Sequence, residues 1–293
     1  MKSRAIITSA SNKFFPSLIN LLGSIKKNFP QHPPVYIYNL GLLWTFKKEL
    51  EKIPGVTVLE MPQFVPFWRS CYTWKPYIFK HPFADLNFYL DAGCQVLRPL
   101  DEVFEAIEHD GMFLIYQGGV FNDIVPGTYQ AMFGLSSELG SLQNLHAGIF
   151  GFSKQGPVQE AIDWIFEAAS MGLALGFSPA EAWRNKGVNK NPFWRDCKLF
   201  RHDMTLLNIA FRKFFGNKLT VHAEAQYAGG KGSHSRQFIW QMRLGYSWLE
   251  FLKPSALHAK IILAAWINRA IVYGLILAKN INLRVKKRLG LAK

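Results

Sequence analysis

Short apolar runs and helical stripes alternate along the first part of the chain. "AIITSAS" (5–11) predicts a buried strand running into a small polar loop. "SLINLLGSIKKNF" (17–29) places Leu18, Leu21, Leu22 and Ile25 on one helical stripe. "VYIYNLG" (35–41) predicts a second strand ended by Gly41, "WTFKKELEKI" (44–53) a short helix stopped by Pro54-Gly55, and "VTVLEM" (56–61) a third strand. "YTWKPYIFKHP" (72–82) predicts a proline-limited helix and "NFYLDAG" (87–93) a fourth strand. "DEVFEAIEHD" (101–110) predicts a helix with acidic residues in its first turn, and "MFLIYQ" (112–117) another strand. This order predicts an α/β fold, a mostly parallel sheet with helices on both faces. Ligands of such sheets sit beyond the carboxyl ends of the strands. Asp91 and the loop holding Thr8, Ser9 and Ser11 both fall at such ends and are expected to border one cleft. "GFSPAEAWRNKGVNKNPFWRD" (176–196) is the most irregular stretch, an inserted loop or a mobile lid.

Composition narrows the class. The 293 residues are 49% hydrophobic and 18% charged, enough for one large α/β domain or two small ones around a sizeable core. Aromatics reach 15%, and core packing is the default role for most of the Phe. The cysteines, Cys71, Cys94 and Cys197, form no CxxC pair and are odd in number, which fits a reducing, cytoplasmic compartment. The N-terminal apolar run is too short for a secretory signal.

Charge is uneven. Residues 251–293 carry nine Lys or Arg and no Asp or Glu, +9 of the net +14. The sequence therefore divides into a catalytic domain over 1–250 and a basic, apolar helical tail over 251–293. "IILAAWINRAIVYGLILA" (261–278) is apolar except for Asn268 and Arg269. A nucleic-acid tail does not need so apolar a segment, whereas one lying against an anionic membrane does. Arg269 near its centre disfavours a full span by about 2.5–3.5 kcal/mol. The expectation is a peripheral protein on the inner face of a membrane. The alternative is a helix pair docked on the domain. No nucleic-acid motif accompanies the charge, so no nucleic-acid partner is expected.

Familiar catalytic sets are missing: no GxGxxG follows the first strand, and there is no P-loop, GxSxG elbow or HExxH. What remains is "FYLDAGCQVLRPLDEVF" (88–104), where an apolar run ends in Asp91. A carboxylate there is costly unless something uses it.

That segment resembles the signature strand of retaining glycosyltransferases of family 8, which reads tyrosine-leucine-aspartate-alanine-aspartate. "AIITSASNKFFPSLINLLGSI" (5–25) resembles the family's first strand and helix, whose loop meets the nucleotide base. "NLHAGIFGFSK" (144–154) resembles its Asn-Ala-Gly strand lining the sugar pocket, and "RHDMTLLNIAF" (201–211) its Asp-Gln-x-x-x-Asn helix start. The four segments keep the family's order and cover most of residues 5–215. The resemblance implies a GT-A fold, Rossmann-like and binding nucleotide sugars. It implies transfer of a hexose from a nucleoside diphosphate sugar, with retention, and the tail suggests a surface-polysaccharide or lipid-linked acceptor.

The resemblance also assigns roles. The family's two aspartates bind a divalent cation, Mn or Mg. Here the second is Gly93, so Asp91 is left to bind the donor ribose or a metal alone, and metal dependence is expected to be weak or absent. The bland reading of Asp91 is a turn cap. Gly93 allows close approach of a phosphate or sugar. "YAGGKGSHSRQF" (227–238) is either a phosphate loop whose Lys231 and Arg236 balance the diphosphate, or a surface turn. The family's metal-binding His spacing is not kept, so neither His222 nor His234 is assigned. His146 stands where the family has Asn and is expected at a donor hydroxyl. Asp203 begins a helix near the donor sugar, or is simply a first-turn carboxylate. Lys75 reaches the donor or is a solvated lysine beside Trp74. Two other classes remain: a degenerate transferase that binds without turnover, supported by Gly93, and a nucleotidyltransferase, which "TSASNKFFPS" (8–17) does not suit.

Overall fold

The computed structural model describes residues 2–176 and 197–241. The tail at 251–293 and nearly all of the irregular stretch at 176–196 lie outside them. The strands are β1 (Arg4–Ala10), β2 (Val35–Asn39), β3 (Val56–Glu60), β4 (Leu86–Leu90), β5 (Cys94–Val96), β6 (Met112–Val120), β7 (Gln143–Leu145), β8 (Ile149–Ser153), β9 (Val221–His222) and β10 (Ile239–Gln241). The helices are α1 (Phe15–Asn28), α2 (Trp44–Glu51), α3 (Trp74–Lys80), α4 (Asp101–Asp110), α5 (Phe121–Ile124), α6 (Gly127–Met132), α7 (Val158–Ser170), α8 (Asp203–Phe215) and α9 (Glu224–Tyr227).

The main sheet has the order β3-β2-β1-β4-β8-β6-β7, with β9 paired to β6. β3, β2, β1 and β4 pair in parallel, as the βα alternation predicts. β8 runs antiparallel to both β4 and β6, which leaves β6 pointing the same way as β4. A mostly parallel sheet thus carries one reversed strand in its middle. The segment expected as one strand over 144–154 is two. The chain leaves the β6 ladder after Leu145, the His146 N–H still reaches the Ile115 carbonyl at 2.9 Å, and Ala147-Gly148 turns the backbone into β8.

The period-2 pattern of the strands builds two cores, one on each sheet face. Ile6, Ile37, Phe88 and Leu90 pack with residues of α1, α2 and α4. Ile7, Tyr38, Tyr89, Phe150 and Phe152 pack with α3, α7 and α8. Helices therefore cover both faces. Gly151 sits where α4 comes closest: a Cβ there would stand 2.6 Å from Ile107 Cδ1 and 2.7 Å from Phe113 Cβ. Beyond the carboxyl end of β4, β5 pairs antiparallel with β10, Gln241 opposite Cys94. Among the described residues no helix is long and apolar enough to cross a membrane.

Candidate active site

Four of the expected residues meet at the carboxyl end of β4. Asp91 follows the last strand residue, and its backbone is fixed by a 2.7 Å N–H bond to the Gly148 carbonyl. Lys75, on the first turn of α3, is buried, and its ammonium lies 3.0 Å from Asp91 Oδ1 and 3.0 Å from Asp203 Oδ2. It also donates to the Ala147 carbonyl at 3.4 Å. Asp203 opens α8, and His146 precedes the turn into β8. Lys75, Asp91, His146 and Asp203 line one cavity of about 430 Å³, with Tyr72, Gln117, Gly148, Arg201, His202 and Gln241.

Lys75 is the hinge of the electrostatics. Burial alone would push its ammonium pKa down, but the Asp203 and Asp91 carboxylates outweigh that and hold it well above the ordinary lysine value. Burial raises the Asp203 carboxyl, and Lys75 only partly offsets this. One ammonium therefore serves two carboxylates, and the group is net negative when all three are charged. Tyr89 completes the support: its hydroxyl donates to Asp91 Oδ1 at 2.9 Å and lies 3.1 Å from Ser9 Oγ. Burial, then the neighbouring Asp91, raises the Tyr89 phenol well above its usual range, so it stays a donor.

Gly148 has a steric role. A Cβ there would meet His146 Cε1 at 2.8 Å and Asp91 Oδ2 closer still. The Gly148 N–H donates to His146 Nδ1 at 2.9 Å, which fixes that nitrogen as the acceptor. Strain gathers here as well. Among the described residues, the non-glycines with positive φ are Cys71 (51°), Tyr72 (62°) and His202 (54°). Tyr72 and His202 both line the cavity, their rings 6.3 Å apart. Such backbone persists where its surroundings over-determine it, commonly at ligand sites. His202 Nδ1 bonds the Ala174 carbonyl at 2.8 Å, and burial lowers its pKa.

Other expected residues lie elsewhere. Thr8 and Ser9 are buried inside β1 rather than in a loop, because the strand runs on to Ala10. Ser9 still reaches the site through Tyr89. Ser11 precedes a short 3-10 turn and makes no side-chain cap bond. Gly93 lies in the turn closed by the Cys94 N–H to the Asp91 carbonyl, 2.9 Å. Lys231 and Arg236 do not line the Asp91 cavity. The β5–β10 pairing carries the 229–238 loop toward Leu97, where Arg236 pairs with Glu102 at 3.3 Å and Lys231 lies over the Trp240 ring. Gln237 ties this loop to itself, accepting from Gly232 N–H and donating to the Gly229 and Gly230 carbonyls.

Among the described residues, the carboxylates at this cavity are already engaged by other side chains. A magnesium-type ion is commonly held by one or two carboxylates, with waters and substrate phosphates completing its shell. Asp91 Oδ1 is engaged by Tyr89 and Lys75, Asp203 faces the same ammonium, and Gly93 offers no carboxylate. Among the described residues no three His, Cys, Asp or Glu converge to hold an ion.

Comparison with known proteins gives loose likenesses. The bifunctional glycosyltransferase WbbM, in an apo structure, aligns over 91% of this chain at 14% identity with a TM-score of 0.47. This chain spans only 45% of that structure's length. The galactosyltransferase LgtC, in complex with donor and acceptor sugar analogues, aligns over 67% of this chain and 83% of its own, at 13% identity and a TM-score of 0.41. No protein-family model and no curated protein matches the sequence.

Proposed function

We propose that this chain is a glycosyltransferase that moves a hexose from a nucleoside diphosphate sugar to a glycan or lipid-linked acceptor with retention of configuration. The observation that carries the reading is the Lys75 ammonium held between Asp91 and Asp203 on the wall of the cavity beyond β4. The family-like motifs at 88–104, 144–154 and 201–211 supply Asp91, His146 and Asp203, and the helix before the first motif supplies Lys75.

In this reading Asp91, oriented by Tyr89 and Lys75, accepts hydrogen bonds from donor hydroxyls. His146, its Nδ1 held by the Gly148 N–H, stands on the cavity wall beside the sugar. Lys75 offsets the repulsion between the two carboxylates, so both can stay charged side by side at the cavity wall. Arg201 takes the place at the leaving diphosphate that Lys231 and Arg236 were expected to fill. Fixed donors aimed at developing charge lower the barrier without reorganising. No step requires a metal.

A second reading, a binding protein without turnover, rests on the same pairing: an ammonium that satisfies both carboxylates leaves less charge for chemistry. Incubating the full chain with a panel of nucleoside diphosphate hexoses and following release of nucleoside diphosphate separates the two. Turnover that survives EDTA supports the transferase reading. Binding without turnover supports the second, and turnover lost to EDTA and restored by manganese contradicts the metal-free site.

A further inference from the structure

The loops after β1 and β2 form a second feature at the same edge of the sheet. The Asn12 N–H reaches the Gly41 carbonyl at 3.3 Å, and Asn12 Oδ1 accepts from the Leu43 N–H at 2.6 Å. Beneath them Phe15 and Phe46 stack with centroids 3.9 Å apart, which joins the starts of α1 and α2 into one platform. Three large apolar side chains stand out of this platform: Phe14 is 47% exposed, Leu43 43% and Trp44 66%. Cations ring them. Lys13 lies over the Phe14 ring at 5.3 Å and Lys48 over the Trp44 ring at 4.2 Å. The Arg69 guanidinium lies against Gly41. The acidic groups of α2 are turned to lysines instead, Glu49 to Lys52 and Glu51 to Lys47.

We propose that Phe14, Leu43 and Trp44, with Lys13, Lys48 and Arg69, form a docking surface for an anionic lipid membrane. Aromatic and leucine tips enter the acyl boundary while long cationic side chains stay at the headgroups. Charge selects this occupant over two others. The chain's own 251–293 segment has nine basic residues and no acidic one, so the cationic rim repels it. A second copy would bring like charges together, and three side chains fall far short of the roughly 800 Å² per partner of a stable interface. β1 lies next to β4 and β2 next to β1, so the strands that lead into this surface run about 5–10 Å from the strand that ends at Asp91. A membrane seated here lies at the same edge of the sheet as the cavity, which fits a lipid-linked acceptor. That consequence rests on the transferase reading, whereas the surface itself does not.

The test is co-sedimentation of the full chain with phosphatidylcholine vesicles, with and without phosphatidylglycerol, in the absence of any donor. The wild type is expected to bind only the anionic vesicles at low salt. Joint replacement of Lys13, Lys48 and Arg69 by Gln should weaken binding about a hundredfold. Joint replacement of Phe14, Leu43 and Trp44 by Ser should weaken it by about tenfold or more. Quenching by bromine-labelled lipid isolates this surface from the tail, because Trp44→Phe keeps the packing: a quenched fraction lost in that variant supports the proposal. Quenching unchanged in Trp44→Phe, wild-type binding in both triple variants, or a wild type that ignores anionic vesicles would overturn it. A dimer that dissociates in the Ser variant while vesicle binding persists would overturn it in favour of a second copy.

Discussion

Lys75 concentrates the energetics of the site in one side chain. Its side chain is 5% exposed and Asp203's 8%, so removing the ammonium leaves a buried carboxylate uncompensated. Lys75→Met should lower stability by about 3–5 kcal/mol in denaturant titrations. Adding Asp203→Asn should recover part of that loss, because the two groups are coupled. A simple sum of the single effects would refute the pairing. Gly148→Ala acts through shape: its Cβ must displace Asp91 or His146, so turnover should fall about a hundredfold while the melting temperature moves little. His202 sets a pH dependence. Its folded pKa lies below the ordinary 6.5, so below that value the unfolded chain binds more protons and stability falls. Stability measured against pH should therefore rise toward 6.5, and His202→Asn should flatten that slope.

Secondary structure was largely legible because β1, β2 and β4 are mostly buried and read as apolar runs, while the half-exposed β3 is bounded by Pro54-Gly55. β6 and α8 also start where their patterns do. The reversed β8 was not legible. Its sequence, Ile149–Ser153, is as apolar as a parallel strand, and only pairing with β4 and β6 reveals its direction. Motif order singles out Asp91, His146 and Asp203, and Lys75 stands out only for its helix before the signature strand; the fold brings all four to one cavity. Tyr89, Gly148 and Arg201 lay inside the quoted motifs, but nothing in one sequence says which side chain turns inward. Composition and position allow 227–238 to be either a phosphate loop or a surface turn; β10 pairs with β5 and draws Arg236 toward Glu102, away from the lining of the Asp91 cavity. Gly151 supplies a test of the β8–α4 packing. Gly151→Ala should cost about 1–3 kcal/mol by overpacking against Ile107 and Phe113, read as a lower denaturant midpoint at unchanged slope.

Across the molecule, the proposed active site and the proposed membrane surface share one edge of the sheet. Two membrane contributions are separable: deleting 255–293 should remove the tail's share of binding to anionic vesicles and leave the share of Trp44 and its neighbours, with donor binding intact. Both shares should fall as salt rises, since screening shortens to about 8 Å at physiological strength. The transferase reading itself turns on Asp91, whose carboxylate Tyr89 and Lys75 hold at the cavity. Donor turnover by the full chain should be compared with that of Asp91→Asn, which keeps the side chain's size and removes its charge. The account predicts that the variant melts within a few degrees of the wild type and turns over donor about a hundredfold or more slowly. Wild-type turnover in Asp91→Asn would contradict it.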